Sequence, residues 1–332
     1  MPNTRHRPFV IALVIGVLLA VICVWPQALG LHRLPLVSNA IPFRGILALV
    51  LGALALVATV VAVRRRRWSV AAALAIALAA ATVGHGAVLL ARGGGSAVAE
   101  GDLTVVAWNT YGGGASPESI ARLVRETGAD VVSLPETDAI AAAAVVGILA
   151  RDGIEMTHDT VVSEPGDDPV PTSILIATSL GPYERDASAG STPGVPSGVW
   201  RPSDGDGPVL VAAHPLPPLP LIMTEWVEGL DWVAARCAEP DVIVAGDLNA
   251  TLDHFSGLGR AGGVIGGCRD AAADRGAAAV GTWPVRLPAA LAAPIDHVLT
   301  GGDWQARGFA VVTGFDDAGS DHRPVVATVS RR

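Results

Sequence analysis

The sequence predicts an α+β domain, sheets packed face to face with helices outside, preceded by three transmembrane α-helices. Three observations carry this. Of the 332 residues, 51% are hydrophobic and 16% charged, too apolar a balance for an ordinary soluble protein, so part of the chain belongs in lipid. The charges are segregated: residues 1–99 hold nine Arg and no acid, whereas residues 100–332 hold 14 Arg and all 31 acids, a net of −17 against +9. In that second part, short apolar runs of strand length alternate with helical segments and outnumber them.

The first body, residues 1–92, has apolar stretches at 9–25, 45–63 and 70–90, each close to the roughly 20 residues a helix needs to cross a bilayer. Backbone in hydrocarbon must satisfy its own hydrogen bonds, so all three read as helices. A cleaved signal peptide is the competing reading of the first, but two further spans follow and no small-x-small cleavage site precedes them. Arg5 and Arg7 precede the first span, and Arg64, Arg65, Arg66 and Arg67 fill the loop between the second and third. The positive-inside rule then predicts a multi-pass cell-membrane protein with a cytoplasmic N-terminus. The loop with Arg33 and Arg44, and everything after Leu90, lies outside. The spans carry no acid, which argues against a transporter and for an anchor in the lipid bilayer. His85, between Gly84 and Gly86, reads as a helix-packing residue.

Residues 93–101, rich in Gly, predict a flexible tether, and residues 102–332 an extracytoplasmic domain. Its strands are expected at 103–108, 131–134, 173–177, 209–213, 242–245, 295–299 and 325–329. Ser116 and Pro117 are good N-cap and N1 residues, Ile120, Leu123 and Val124 form an apolar face, and Gly128 ends that helix. Further helices are expected at 137–150 and 221–236, the latter with Trp226 and Trp232 in packing roles, and a Gly- and Pro-rich loop at 186–208. Cys237 and Cys268 can pair in an oxidising compartment.

The strand ends carry the chemistry. They deliver Asn109, Glu136, His214, Asp247 with Asn249, Asp296, and the run Ser320, Asp321, His322. One Asp, Asn or His past a strand is ordinarily a turn former or a satisfied structural group. Six such ends in one domain, all carboxylate, carboxamide or imidazole, predict a site. Hard oxygen ligands with few Cys suit Mg²⁺, with Mn²⁺ or Ca²⁺ as alternatives, rather than zinc. Imidazoles and carboxamides beside such a cation suit phosphate.

This ordered set resembles the endonuclease/exonuclease/phosphatase superfamily, which includes secreted deoxyribonucleases, abasic-site endonucleases, neutral sphingomyelinases and inositol polyphosphate phosphatases. The match runs over about 102–329, and Gly281, Thr282, Trp283 and Pro284 ahead of Asp296 resemble bacterial members. The resemblance implies a four-layer α/β/β/α sandwich of two mixed sheets with the site at the strand ends. It implies Glu136 as principal metal ligand, helped by Asn109 and Asp321. It implies Asp247 as the residue that orients or deprotonates the attacking water. Asn249, in an extended segment, would point the same way and donate to a phosphate oxygen. His214 and His322 would contact the phosphoryl group from two sides, with Asp296 holding His322. In-line attack of water at phosphorus follows, with no covalent intermediate.

Two departures bear on substrate. Pro135 stands where the family usually has Gln, and no aromatic or basic insert for gripping a duplex is evident. With a net charge of −17, the domain suits a small phosphoester or a lipid head group better than long nucleic acid. A reading from another class is a non-catalytic membrane receptor or scaffold that binds a phosphorylated ligand; it predicts loss of site residues, and none is missing. His158, His254 and His297 match no family role and read as surface or packing residues.

Overall fold

The three apolar runs form helices: α1 (Arg7–Val24), α3 (Arg44–Arg65) and α4 (Val70–Arg92), with a short α2 (Pro35–Ala40) between the first two. They belong to a computed structural model that describes residues 7–65, 69–97, 99–163 and 170–332. Arg5, Arg66 and Arg67, used above to orient the spans, lie outside the described residues. The chain divides into two units, Met1–Arg92 and Gly93–Arg332.

The first unit is packed inside out. Ala55, Ala58, Ala73, Ala77 and Ala81 are buried between helices, while Ile11, Leu49, Leu56 and Val83 point outward. Small residues at the contacts and large apolar ones facing away are what helices in lipid require, and all three fit membrane anchoring. Arg44, read from the sequence as part of the loop between the first two spans, is buried as the first residue of α3. Its guanidinium lies 3.0 Å from Nδ1 of His85 and donates to the Val24 carbonyl at the end of α1 at 3.1 Å. A guanidinium near apolar helices must find acceptors, and an orphan carbonyl at a helix C-terminus is one. His85 is therefore a buried link between helices, with Cys23 Sγ 3.6 Å from its Nε2.

In the second unit the strands are β1 (Leu103–Ala107), β2 (Val131–Pro135), β3 (Met156–Val161), β4 (Thr172–Ala177), β5 (Tyr183–Arg185) and β6 (Gly198–Pro202). They continue with β7 (Val209–Ala213), β8 (Val242–Asp247), β9 (Arg269–Asp270), β10 (Asp296–Thr300), β11 (Trp304–Val311) and β12 (Val325–Arg331). Two six-stranded sheets result, in the orders β11-β12-β1-β2-β4-β3 and β5-β6-β7-β8-β10-β9. Both are mixed: β1 pairs parallel with β2 and β7 parallel with β8, the other pairs being antiparallel.

Alternation along the strands builds the layers. Val105, Ala107, Val131, Ile174, Val325 and Ala327 of the first sheet meet Leu210, Ala212, Ile243, Ala245 and Val298 of the second in one core. Their neighbours face outward. Val106, Val132 and Leu175 pack under α5 (Pro117–Thr127) and α6 (Ala139–Arg151), and Val211, Val242 and Val244 pack under α7 (Met223–Arg236). This is the α/β/β/α sandwich. The expected caps form: Ser116 Oγ accepts from Ser119 N, and Gly128 takes the left-handed C-cap conformation of α5. Cys237, just past α7, is bonded to Cys268, just before β9.

Two expectations are corrected. The 186–208 segment is not loop throughout, because β6 pairs with β7 and buries Trp200 in the core between the sheets. The tether at 93–101 is in part tied to the second unit: Gly95 N donates to the Gly276 carbonyl, and Ala97 bridges antiparallel to Phe309. Strands β3, β5, β9 and β11 were also not anticipated.

Candidate active site

The sheet registers bring the polar strand ends to one edge. In the second sheet Asp296 pairs with Asp247, and Ala213, the residue before His214, pairs with Gly246. In the first sheet Ala107 pairs with both Ser133 and Val325, so the ends carrying Asn109 and Glu136 lie beside the approach of Asp321 and His322 to β12. Gly246 is required by the close approach of β7 and β8. Its φ is 154°, and a Cβ there would collide with the Ala213 carbonyl oxygen.

Glu136, Asn109, His214, Asp247, Asp296, Asp321 and His322 converge. The Asn109 amide nitrogen donates to Glu136 Oε1 and to Asp247 Oδ2, both at 3.0 Å. His214 Nε2 lies 3.9 Å from Glu136 Oε1 and 3.8 Å from Asp247 Oδ2. His322 faces the same Asp247 oxygen at 3.7 Å through Nε2, is 3.8 Å from Asp321 Oδ1, and through Nδ1 meets Asp296 Oδ2 at 2.9 Å. Asp247 Oδ2 is therefore the hub.

Asn249 differs from expectation. Its φ of 46° is left-handed rather than extended, its backbone N–H donates to Asp247 Oδ1, and its amide nitrogen donates to the Pro215 carbonyl at 3.0 Å. A turn closed by an Asp side chain two residues back is the local alternative to continuing the strand. Asn249 thus ties the β8 end to the segment after His214. Tyr111, Glu136 and Asn249 are three of the four non-glycine residues with positive φ among those described, and all three border this site. Each such conformation costs roughly 1–3 kcal/mol and persists where the surroundings over-determine it.

Electrostatics divide the two imidazoles. Burial, with the nearby His322, pushes His214 down to about 3, so it is neutral at working pH. Burial alone would also lower His322, but the charges of Asp296 and Asp247 and the bond to Asp296 outweigh it and hold its pKa up at about 9. Asp247 is pushed up by burial, and the His322 charge acts against that push. A neutral donor and a cationic one therefore flank one buried carboxylate.

Sequence reasoning gave no role to several supports. Trp283 Nε1 donates to Asp321 Oδ2 at 2.8 Å, aiming the other oxygen, and its ring lies 6.3 Å from that of His322. Buried Arg323 grips Asp316 through two nitrogens and donates to the Val285 and Leu287 carbonyls, holding the loop that bears Trp283 against the turn that bears Asp321. Ser320 Oγ donates to the Asn109 carbonyl and receives His322 N–H. Ser197 Oγ receives His214 N–H at 2.8 Å. Trp283 had stood out in its motif, but the bond from His214 to Ser197 spans 17 residues and those from Arg323 to the Val285 and Leu287 carbonyls span 38 and 36, where no local pattern reaches.

The residues fit a divalent cation. Asp321 Oδ1, Asp296 Oδ1 and His214 Nδ1 are buried with no hydrogen-bond partner among the described residues. Asp247, Asp296 and His322 bring ligating atoms within 4.8 Å of one another. Asp296 Oδ2 is already engaged by His322 Nδ1, however, so Glu136 and Asp321, whose side chains keep 26% and 34% exposure, are the better carboxylates for an exchangeable ion. Asn109 donates toward Glu136 while its Oδ1 receives Tyr111 N–H at 2.9 Å, which leaves that oxygen a second lone pair for a cation.

The sequence matches the model of the endonuclease/exonuclease/phosphatase family over residues 106–322. The chain belongs to that family. Its fold is similar to that of a family protein from Beutenbergia cavernae DSM 12333, with 18% identity, a TM-score of 0.53, and 70% and 72% of the two chains covered. It is also similar to a humanized D. rerio TDP2, at 18% identity and TM-score 0.51, covering 68% and 98%. D. rerio TDP2 complexed with single strand DNA product gives 18%, 0.50 and the same coverage. No curated protein matches the sequence. The family match spans every converging residue from Asn109 to His322.

Proposed function

We propose that this family member is a membrane-anchored, divalent-metal-dependent phosphoester hydrolase, a phosphodiesterase or phosphatase, in which water attacks phosphorus in line. The observation that carries this is the convergence on Asp247 Oδ2 of a carboxamide, a neutral imidazole and a cationic imidazole, with Glu136 one hydrogen bond away.

Asp247 orients and deprotonates the attacking water. His322, held by Asp296, presents its Nε2 to the phosphoryl oxygens and stabilises the charge that develops there, while His214 donates as a neutral group from the other side. Asn109 keeps Glu136 and Asp247 in register. Asn249 acts through Pro215 and Asp247, positioning the turn. Glu136 and Asp321, with the Asn109 amide oxygen, would hold Mg²⁺ or Mn²⁺, which supplies Lewis-acid neutralisation of phosphate charge. A net charge of −17 in residues 100–332 favours a small phosphoester or lipid head group over long nucleic acid, and nuclease action stays within the family's reach. The Arg distribution supports a cytoplasmic N-terminus and an extracytoplasmic domain in the cell membrane.

The test is hydrolysis of bis-p-nitrophenyl phosphate. EDTA should abolish it and Mg²⁺ or Mn²⁺ restore it, and Asp247→Ala and His322→Ala should each lower kcat by roughly 10²–10⁴-fold. Full activity in both variants rejects the site.

A further inference from the structure

Among the described residues of the second unit, the exposed large hydrophobic side chains are Tyr111, Ile140, Val162, Leu219 and Leu221, the last 95% exposed and Ile140 82%. All five stand at the edge that carries the site. Tyr111 follows Asn109 beyond β1, and Ile140 follows Glu136 beyond β2. Val162 follows the last residue of β3, which registers through Thr172 with Pro135. Leu219 and Leu221 lie in the loop after His214. At the opposite edge the turns carry Gly128 and Asp130, Glu239 and Asp241, and Gly302 and Asp303. Scattered exposed apolar side chains are ordinary, but five around one acidic site and none at the far edge mark a surface that meets something apolar.

The same chain says what that is. Its first unit offers three helices long and apolar enough to cross a bilayer. The residue joined to them, Gly93, receives Ala279 N–H, and Gly95 donates to Gly276. Ala97 then runs antiparallel to β11, whose last residue, Val311, registers with Val325 near His322. Within the second unit this segment therefore runs from the site edge of the first sheet toward the opposite edge. Beside Val162, a cavity of about 480 Å³ is lined by Ser191, Thr192, Ser197 and Arg185, and Ser197 is the residue that receives His214 N–H.

We propose that this apolar rim beds into the bilayer surface and that the site takes the phosphoester of a lipid head group, the hydroxyl-lined cavity receiving the polar part. The substrate half rests on the hydrolase reading above; the docking half does not. The probe of docking is the full chain with Cys23→Ser, since Cys237 and Cys268 are paired, in proteoliposomes of equal parts phosphatidylcholine and phosphatidylglycerol. An environment-sensitive fluorophore is placed at Leu221→Cys or, at the far edge, at Asp303→Cys. Doxyl-labelled lipid should quench the first and spare the second. No quenching at 221, or equal quenching at both, overturns docking whether or not the protein turns over substrate.

For the substrate, Ile140→Ser, Leu219→Ser and Leu221→Ser combined should lower kcat/KM on these vesicle lipids by at least about tenfold and leave bis-p-nitrophenyl phosphate hydrolysis unchanged, which also shows that the variant is folded. Equal loss on both substrates, no loss on either, or a wild type that cleaves only the soluble diester overturns the lipid assignment. A wild type that cleaves neither overturns the hydrolase reading and leaves the quenching result standing.

Discussion

At His322 the two ring nitrogens have separate duties: Nδ1 is held by Asp296 and Nε2 looks toward Asp247 and Asp321. The imidazolium is kept below about pH 9 because neighbouring carboxylates outweigh its burial. Activity that uses this cation falls as pH rises through that value. Asp296→Asn removes the largest of the raising charges, so the alkaline limb of the pH–rate profile should move to lower pH, with a loss of about 10–100-fold at neutral pH. An alkaline limb that stays in place removes Asp296 from this role. The same scale shows where residue-type reasoning stops. His297, which reads as a packing residue, is buried with Nδ1 2.6 Å from Asp270 Oδ2 and Nε2 2.9 Å from the Ala250 carbonyl. Acceptors at both nitrogens call for a doubly protonated ring, and Asp270 and Ala250 are both distant in sequence.

Along the elements, what was legible depended on whether one face was clean. Strands β1, β4, β7, β8 and β12 are short runs of Val, Ile, Leu and Ala buried on both faces, and their centres were readable. β11 was not, because its register shifts between Ala306 and Gly308 and breaks the alternation. β3 is a sheet edge with Thr157 and His158 exposed, and β6 begins with Gly and ends with Pro. The Cys237–Cys268 bond pins the end of α7 to the start of β9 across a separation of 31 residues. Replacing both with Ala should lower the melting temperature by an amount equivalent to roughly 3–4 kcal/mol in the chain-entropy model, and a change below about 1 kcal/mol assigns the pair no such role. Gly246→Ala should destabilise by at least about 1–3 kcal/mol, because the added methyl meets the Ala213 carbonyl and the φ is foreign to an L side chain.

For the molecule as a whole, charge and polarity are the informative quantities. Residues 1–99 carry +9 with no acid and residues 100–332 carry −17. If the Arg clusters hold the N-terminus inside, protease added to intact cells should cut the second unit and leave the helices, and protection of the second unit would reverse the orientation.

Residue types in order were enough to announce three helices apolar enough to cross a bilayer, sheets packed face to face with helices outside, and the candidate ligands. A bilayer imposes a length, a sheet imposes a period, and phosphate chemistry accepts only a few side chains. Which of these residues touch, and how, was settled by folding. Asn109 bridging two carboxylates, Asn249 turned left-handed onto Pro215, Arg44 drawn inside onto His85, and an apolar rim on one edge all rest on contacts between residues far apart in the chain. Such contacts exist only once strands are in register and buried polar groups have had to find partners.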